Sequence, residues 1–271
     1  MKGIAETIRK HRFLFSELVK RDFKKKYKRT YLGMLWSVLS PLLTLLVMWL
    51  VFTKLLGNNI EHYPIYLFCG NIVWSYFGEA TSTGMSALMD NSAVFTKINV
   101  PKYLFLFSRN ISALINFSLT FFVFLLFCVF NGVAITPLFL ALIFPLVCLV
   151  IFNVGVGLIL SALFIFFRDI QYLWSVFMTL LMYMSAIFYS PAQFGNELFE
   201  KLFLLNPIYV YIKYFRCVVI GVGTIGQDPS TVVPMLPSLQ YHLLALGYAV
   251  AAFAIGALIY KKMNHKFLYY V

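Results

Sequence analysis

The sequence predicts an all-α integral membrane protein with six transmembrane helices. Two observations carry this. The first is composition: of 271 residues, 61% are hydrophobic and 12% charged, against about 45–50% and about 25% in soluble domains. Mean hydropathy is +0.84. A core of this size does not need so much apolar surface, but a lipid-facing exterior does, because the outside of a bilayer protein is apolar too. The second is the blocking of charge. Residues 1–31 hold eleven of the 22 lysines and arginines, and the basic run KKKYKR stops where the apolar run begins. Residues 111–167 hold no Asp, Glu, Lys or Arg at all.

The elements follow in chain order. Over 1–30, Ile4, Ile8, Phe15, Leu18, Val19 and Phe23 gather near one helical face, with Arg9, Arg12, Lys20 and Lys24 largely elsewhere. That is an amphipathic helix lying in the membrane interface, its apolar face among acyl chains. It serves as an anchor and topology signal, or also touches a cytosolic partner. Runs of about 20 apolar residues read as membrane spans. They fall at 32–52, 63–87 (more polar than the rest), 104–130, 138–166, 170–189 and 241–260. Asn131–Gly132 and Thr136–Pro137 supply the turn between the third and fourth. The chain is one transmembrane domain: interface helix 1–30, five spans within 31–190, an outer segment 191–238, the last span within 239–260, and a tail 261–271.

Charge orients it, since cytoplasmic loops carry the excess of Lys and Arg. Six spans put both termini on one side. That side receives the eleven N-terminal bases with Lys97, Lys102, Arg109, Arg168, Lys261, Lys262 and Lys266, leaving Lys54, Lys201, Lys213 and Arg216 opposite. Both termini are therefore expected in the cytoplasm. A secretory signal peptide fits poorly, because the basic and apolar runs are too long and no small-residue cleavage site follows.

Several functions are excluded or disfavoured. The bases sit at span ends without any nucleic-acid motif. Cys69, Cys128, Cys148 and Cys217 form no CxxC pair, so they read as small buried residues. No P-loop, no H-E-x-x-H and no G-x-S-x-G occurs. The spans lack a chain of ionisable groups for a proton or sodium path. The chief exception is Glu79, in the second span among Ser75, Thr81, Ser82 and Thr83. It either faces a cavity or, if the span ends early, is an interfacial carboxylate.

Two polar segments remain. MDNSAVFTKINVPKYLFLFSRN joins spans two and three. Asp90 or Asn91 can cap a short helix and Pro101 can end it. It offers Phe95, Ile98 and Val100 beside Lys97 and Lys102, either as an ordinary turn or as anchors for a groove on a cytosolic protein. SPAQFGNELFEKLFLLNPIYVYIKYFRCVVIG joins spans five and six. It is apolar but broken by Pro191, Gly195 and Pro207, which predicts two short helices near the outer interface or a re-entrant pair closing over a cavity.

In these segments the sequence resembles the membrane subunits of ABC exporters for lipid-linked polysaccharides such as O-antigen, capsule and wall teichoic acid. The resemblance covers almost the whole chain. It rests on Arg21–Asp22, YKRTYLGMLWSVLSPLL, VFTKINVPKYLFLFSR, FFRDIQYLW, SAIFYSP and LLNPIYVYIKYFR, in that order. It implies two copies of this chain working with two cytosolic ATPase subunits in a bacterial inner or plasma membrane. ATP and Mg would be held by the ATPase, with no cofactor or metal on this chain. It implies a coupling helix at about 91–101 (Asn91, Phe95, Lys97, Ile98, Asn99, Val100, Pro101). The interface helix, with Arg21, Asp22, Lys25, Tyr27 and Arg29, would be a cytoplasmic gate. Two outer helices at 192–205 and 207–218 would be an extracytoplasmic gate, with Tyr189, Pro191, Phe194, Asn206, Pro207, Tyr211 and Arg216. The channel would lie between the two copies.

Phe, Tyr and Trp make up 18% of the chain. Sugar rings stack on aromatic faces, although aromatics also form interfacial belts. The channel-lining candidates are Tyr31, Trp36, Trp74, Tyr76, Trp174 and Tyr183, with Glu79. Lys213 and Arg216, expected outside and next to the gate, either meet a pyrophosphate or acidic glycan or are single exposed bases without a ligand. Asp169 beside Arg168 fits a local pair or an ATPase contact. Two other functions keep the architecture: an integral membrane glycosyl- or acyltransferase, disfavoured by scattered His and few acids, and an ABC exporter of drugs or small lipids.

Overall fold

A computed structural model describes residues 11–27, 30–51, 62–97, 100–191, 201–221 and 234–270. Among them every regular element is helical. The main helices are α1 (Arg12–Tyr27), α2 (Trp36–Trp49), α3 (Tyr63–Asp90), α4 (Ser92–Phe95), α5 (Tyr103–Phe130), α6 (Ile143–Phe166), α7 (Ile170–Met184), α8 (Pro207–Ile220), α9 (Leu239–Met263) and α10 (Phe267–Tyr270). A 3-10 turn, Pro137–Leu142, leads into α6.

Three helical stretches are long and apolar enough to cross a bilayer: Tyr103–Phe130, Pro137–Phe166 and Leu239–Met263. α2 and α7 are shorter apolar helices. α3 has the length, 28 residues, or about 42 Å at the helical rise of about 1.5 Å per residue. It is more polar and lies at the centre, packed by α2, α5, α6, α7 and α8. A helix enclosed by neighbours tolerates polar residues that a lipid-facing one does not.

The expected turn after α5 forms at Asn131–Gly132, where Gly132 takes φ +78°, a left-handed conformation open to glycine at little cost. α6 and α9 make the tightest contact in the bundle. Gly155 and Gly256 face each other so closely that a Cβ on either would overlap the other helix's backbone.

The first and last described helices meet at one end of the bundle. α1 packs on α5 through Leu18 and Asp22. Lys102, at the start of α5, donates to the Asn264 carbonyl (3.1 Å) and lies over the rings of Phe95 and Phe267. Burial there pulls the Lys102 pKa down. Leu14 and Leu18 of α1 join a cluster with Leu88, Phe95, Phe105, Ile165 and Phe267. This part of α1's apolar face is therefore spent on its own bundle, where acyl chains were expected.

Two further expectations are corrected. The fifth span was expected to reach residue 189, but its helix ends at Met184. The chain turns through Ala186 at φ +49°. The carbonyls of Ala186 and Ile187 go to Arg216, and those of Phe188 and Tyr189 go to Tyr63 and Tyr66. Past Met184 the chain leaves the helix, and side chains of α3 and α8 hold the carbonyls of residues 186–189 in that turn. The short helix expected over 91–101 is α4, only four residues long, followed by a turn at Thr96–Lys97. Its Phe95 folds back onto Phe105, with ring centroids 6.0 Å apart. Phe95 and Val100, expected as outward anchors, are buried in their own chain. Ala93, Thr96 and Lys97 are the exposed residues there.

Candidate functional site

Three polar stripes meet between α2, α3 and α5. Ser37, Ser40 and Thr44 recur at three- and four-residue spacing on α2, Asn71, Ser75 and Glu79 at four on α3, and Asn116 and Thr120 at four on α5. That spacing puts each set on one helical face. Together with Trp36, Tyr76 and Phe117 they line a cleft of about 480 Å³.

Glu79 organises it. Its Oε2 accepts from Lys26 Nζ at 2.8 Å and from Asn116 Nδ2 at 2.7 Å. α3 continues for eleven residues past Glu79, about 16 Å at about 1.5 Å per residue. Of the two readings of Glu79, the cavity-facing one fits this geometry. A second cleft of about 370 Å³ shares Lys26 and Glu79, and is lined further by Asp22, Lys25, Thr83, Arg109 and Ser112. The two form a polar path from the basic end toward mid-bundle. Such a path offers hydroxyls, amides and both charges to a hydrophilic ligand, and an aromatic face at Trp36.

The channel-lining candidates separate. Trp36, Tyr76 and Glu79 share the cleft. Trp74 and Trp174 do not line it; both pack on Phe77, at 6.1 and 6.0 Å between centroids. Tyr31 and Tyr183 are exposed and apart from it. Of the hydroxyl and amide residues of the cleft, sequence reasoning noticed Ser75 beside Glu79 and missed Ser37, Ser40, Thr44, Asn71, Asn116 and Thr120. The four-residue polar spacing was the signal that would have found them.

At the basic end, Arg21 and Asp22 do come together with Asn91. Arg21 Nη2 donates to Asp22 Oδ1 and to Asn91 Oδ1, both at 2.8 Å. Ser108 Oγ donates to Asp22 Oδ2 at 3.0 Å, and Arg109 pairs with Asp90 at 2.9 Å. Ser108, Arg109 and Asp90 had not been singled out for this role. Lys25 and Lys97 are exposed, and Pro101 is half-buried. Arg29, Ile98, Asn99, Phe194 and the side chain of Tyr27 lie outside the described residues.

At the opposite end, α8 folds back along α9. Tyr248 donates to the Leu204 carbonyl (2.8 Å), Tyr211 to that of Ala245 (2.9 Å), and Tyr214 pairs with His242 (2.8 Å). The pairing runs antiparallel to α9. Leu204 thus sits level with Tyr248, ten residues beyond Ser238 at the start of α9, about 15 Å in. Asn206 makes this possible. Its Oδ1 caps α8 at Ile208 N (3.0 Å), while its Nδ2 donates to Met184 O and Ser185 Oγ. Pro207 occupies the first turn and needs no partner for a backbone N–H. Tyr189 donates to the Tyr183 carbonyl at 2.7 Å, and Pro191 is buried.

The reading of Lys213 and Arg216 as exposed bases is corrected. They are 8% and 2% exposed. Arg216 donates to the carbonyls of Ala186 and Ile187 (2.9 Å each) and Tyr66 (3.3 Å), and its guanidinium lies 3.4 Å over the Tyr66 ring. Lys213 is held over the rings of Tyr209 and Tyr241. Every α8 residue after Pro207 is buried, so its bases have no route to solvent and bind rings and carbonyls.

A helical bundle with a polar path through apolar helices defines a multi-pass membrane protein. The chain matches the ABC-2 type transporter family over residues 14–220, and it belongs to that family. It is 27% identical over 263 residues to the O-antigen export system permease protein RfbA of Klebsiella pneumoniae, covering 94% of this chain and 95% of that one. It is 29% identical over 221 residues to the protein of the same name from Myxococcus xanthus, covering 80% of this chain and 84% of that one. A second Klebsiella pneumoniae protein of that name is 27% identical over 209 residues, covering 75% and 80%.

Proposed function

We propose that the protein is the membrane subunit of an ATP-driven exporter that moves a lipid-linked polysaccharide out of the cytoplasm. The observation that carries this is the similarity to an O-antigen export permease along nearly the full length of both chains. The polar path supports it, because a hydrated glycan crossing a bilayer needs hydroxyls and amides in place of water. ATP and Mg belong to two cytosolic ATPase subunits, and both termini of this chain face them. Residues 92–97, which expose Ala93, Thr96 and Lys97 at the basic end beside α1, are the surface where the ATPase docks.

A second copy of this chain completes the channel. α7 turns Trp174, Met178, Leu181 and Met182 toward its own chain and exposes Tyr172, Leu173, Val176, Leu180 and Tyr183 on its other side. It therefore offers a full apolar face to lipid or to the other copy. ATP binding acts through the docked surface, and the subunit responds because the two arrangements of the ATPase dimer bind it with different affinity. α8, folded back along α9, closes the outer end.

The test is a pull-down. Tagged protein purified in mild detergent from its own cell is expected to bring a P-loop ATPase in equal amount, identified by mass spectrometry. A well-folded chain that repeatedly comes alone overturns the exporter reading.

A further inference from the structure

Asp22 is a carboxylate in the wrong place for a surface helix. Its side chain is 1% exposed. A buried carboxylate costs several kcal/mol unless charges and hydrogen bonds compensate it. Here they come from two elements. Arg21 reaches Oδ1 at 2.8 Å from α1 itself. From α5, Ser108 donates to Oδ2 at 3.0 Å and Arg109 Nε pairs with it at 3.5 Å.

Both arginines have a second partner, and both partners lie at the joint between α3 and α4. Arg21 donates to Asn91 Oδ1 and Arg109 to Asp90 Oδ2. Asp90 and Asn91 are adjacent, so the contacts close a ring: Asn91, Arg21, Asp22, Arg109, Asp90. Two further bonds hold the joint. Asn91 Nδ2 donates to the Ala87 carbonyl at 2.7 Å, and Ser86 Oγ donates to Asp90 Oδ2 at 3.0 Å. Two arginines balance two aspartates.

We infer that Asp22 is a positioning residue that fastens α1 to the α3–α4 joint and to the start of α5, so that a displacement applied at residues 92–97 moves α1 as part of the same body. This rests on residues 92–97 being the ATPase-docking surface. Buried ion pairs are weak stabilisers compared with apolar packing, and their best-attested use is fixing one arrangement. The ring suits that use, since its corners come from three places, α1 (Arg21, Asp22), the α3–α4 joint (Asp90, Asn91) and α5 (Arg109), and none of the three can shift alone without stranding a charge. α1 carries Lys26, which pairs with Glu79 at the mouth of the cleft. Motion at the docking surface thus reaches the polar path through one rigid link.

The experiment compares Asp22→Asn, Asp22→Glu and Asp90→Asn with wild type as full complexes with the ATPase in native membranes. It reads the inserted amount, ATP hydrolysed and glycan exported. The result expected for Asp90→Asn, at a residue that lines neither cleft, is near-wild-type insertion and ATPase activity with export per ATP at least tenfold lower, and Asp22→Asn is expected to lower export per ATP by as much. Asp22→Glu recovers part of that ratio. An unchanged ratio in both asparagine variants overturns the inference. So does loss of insertion in both, which makes the ring a folding staple only. If the wild-type complex itself exports no glycan, the exporter reading has failed, independently of the ring.

Discussion

Arg216 shows how one residue decides a chain's path. Its guanidinium donates to two carbonyls just past the end of α7, those of Ala186 and Ile187, and to the Tyr66 carbonyl of α3, and it lies on the Tyr66 ring. Lysine has three donors on a point charge and cannot reproduce this planar fork. Arg216→Leu removes the donors that sit 2.9 Å from the Ala186 and Ile187 carbonyls, at about 1–3 kcal/mol for each carbonyl left unpaired. The expected outcome is a thermal midpoint in detergent well below wild type, with Arg216→Lys intermediate. A midpoint equal to wild type for Arg216→Leu would show that the carbonyls find other donors. Nothing in YIKYFRCVV announces this role, because a single basic residue near a span end reads the same whether its partners are water or backbone carbonyls 30 and 150 positions away. Glu79 was easier to anticipate. A carboxylate in an apolar stretch requires a partner, although that the partners are Lys26 and Asn116 was not visible from either residue.

At the scale of elements, α6 and α9 pack through glycine. Neither helix has charged residues before the last turn of α9, and in lipid their association relies on close backbone approach. Gly256→Ala adds a methyl group where the Gly155 backbone already sits. Overpacking of this kind costs about 1–3 kcal/mol, and the cost is paid in helix separation. The expected result is a lowered thermal midpoint with unchanged insertion, while Gly247→Ala, which meets open space, leaves the midpoint unchanged. Helix positions were largely legible: Asn131–Gly132, Thr136–Pro137 and Asn206–Pro207 mark ends by local backbone chemistry. The end of α7 was not, because the donors that hold the turn past it are distant in sequence. The length of α4 was not either, since Phe95 chose Phe105 over solvent.

For the whole molecule, the docking surface separates what faces a partner from what holds the chain together. Ala93 and Lys97 are exposed and Val100 is buried. Ala93→Asp with Lys97→Glu is expected to insert normally and to lose the ATPase, with at least a tenfold drop in co-purified partner. Val100→Asp is expected to lose inserted protein, because it buries a carboxylate without a partner. Immunoblots of membranes and pull-downs from the same cells measure both. ATPase retained at wild-type amount by the first variant would move the docking surface elsewhere.

By itself the sequence determined the class of molecule, the apolar segments, their turns and the side on which positive charge gathers. These are properties of composition and of near neighbours in the chain. The tertiary structure decided where the polar groups go. It gathered three helical stripes into one cleft, turned Arg216 inward, enclosed Asp22 in its ring and folded residues 201–220 back into the bundle. Those outcomes depend on partners tens of residues away. A polar group enclosed in an apolar bundle is stabilised by whichever partner packing brings within reach, and sequence distance does not reveal which one that is.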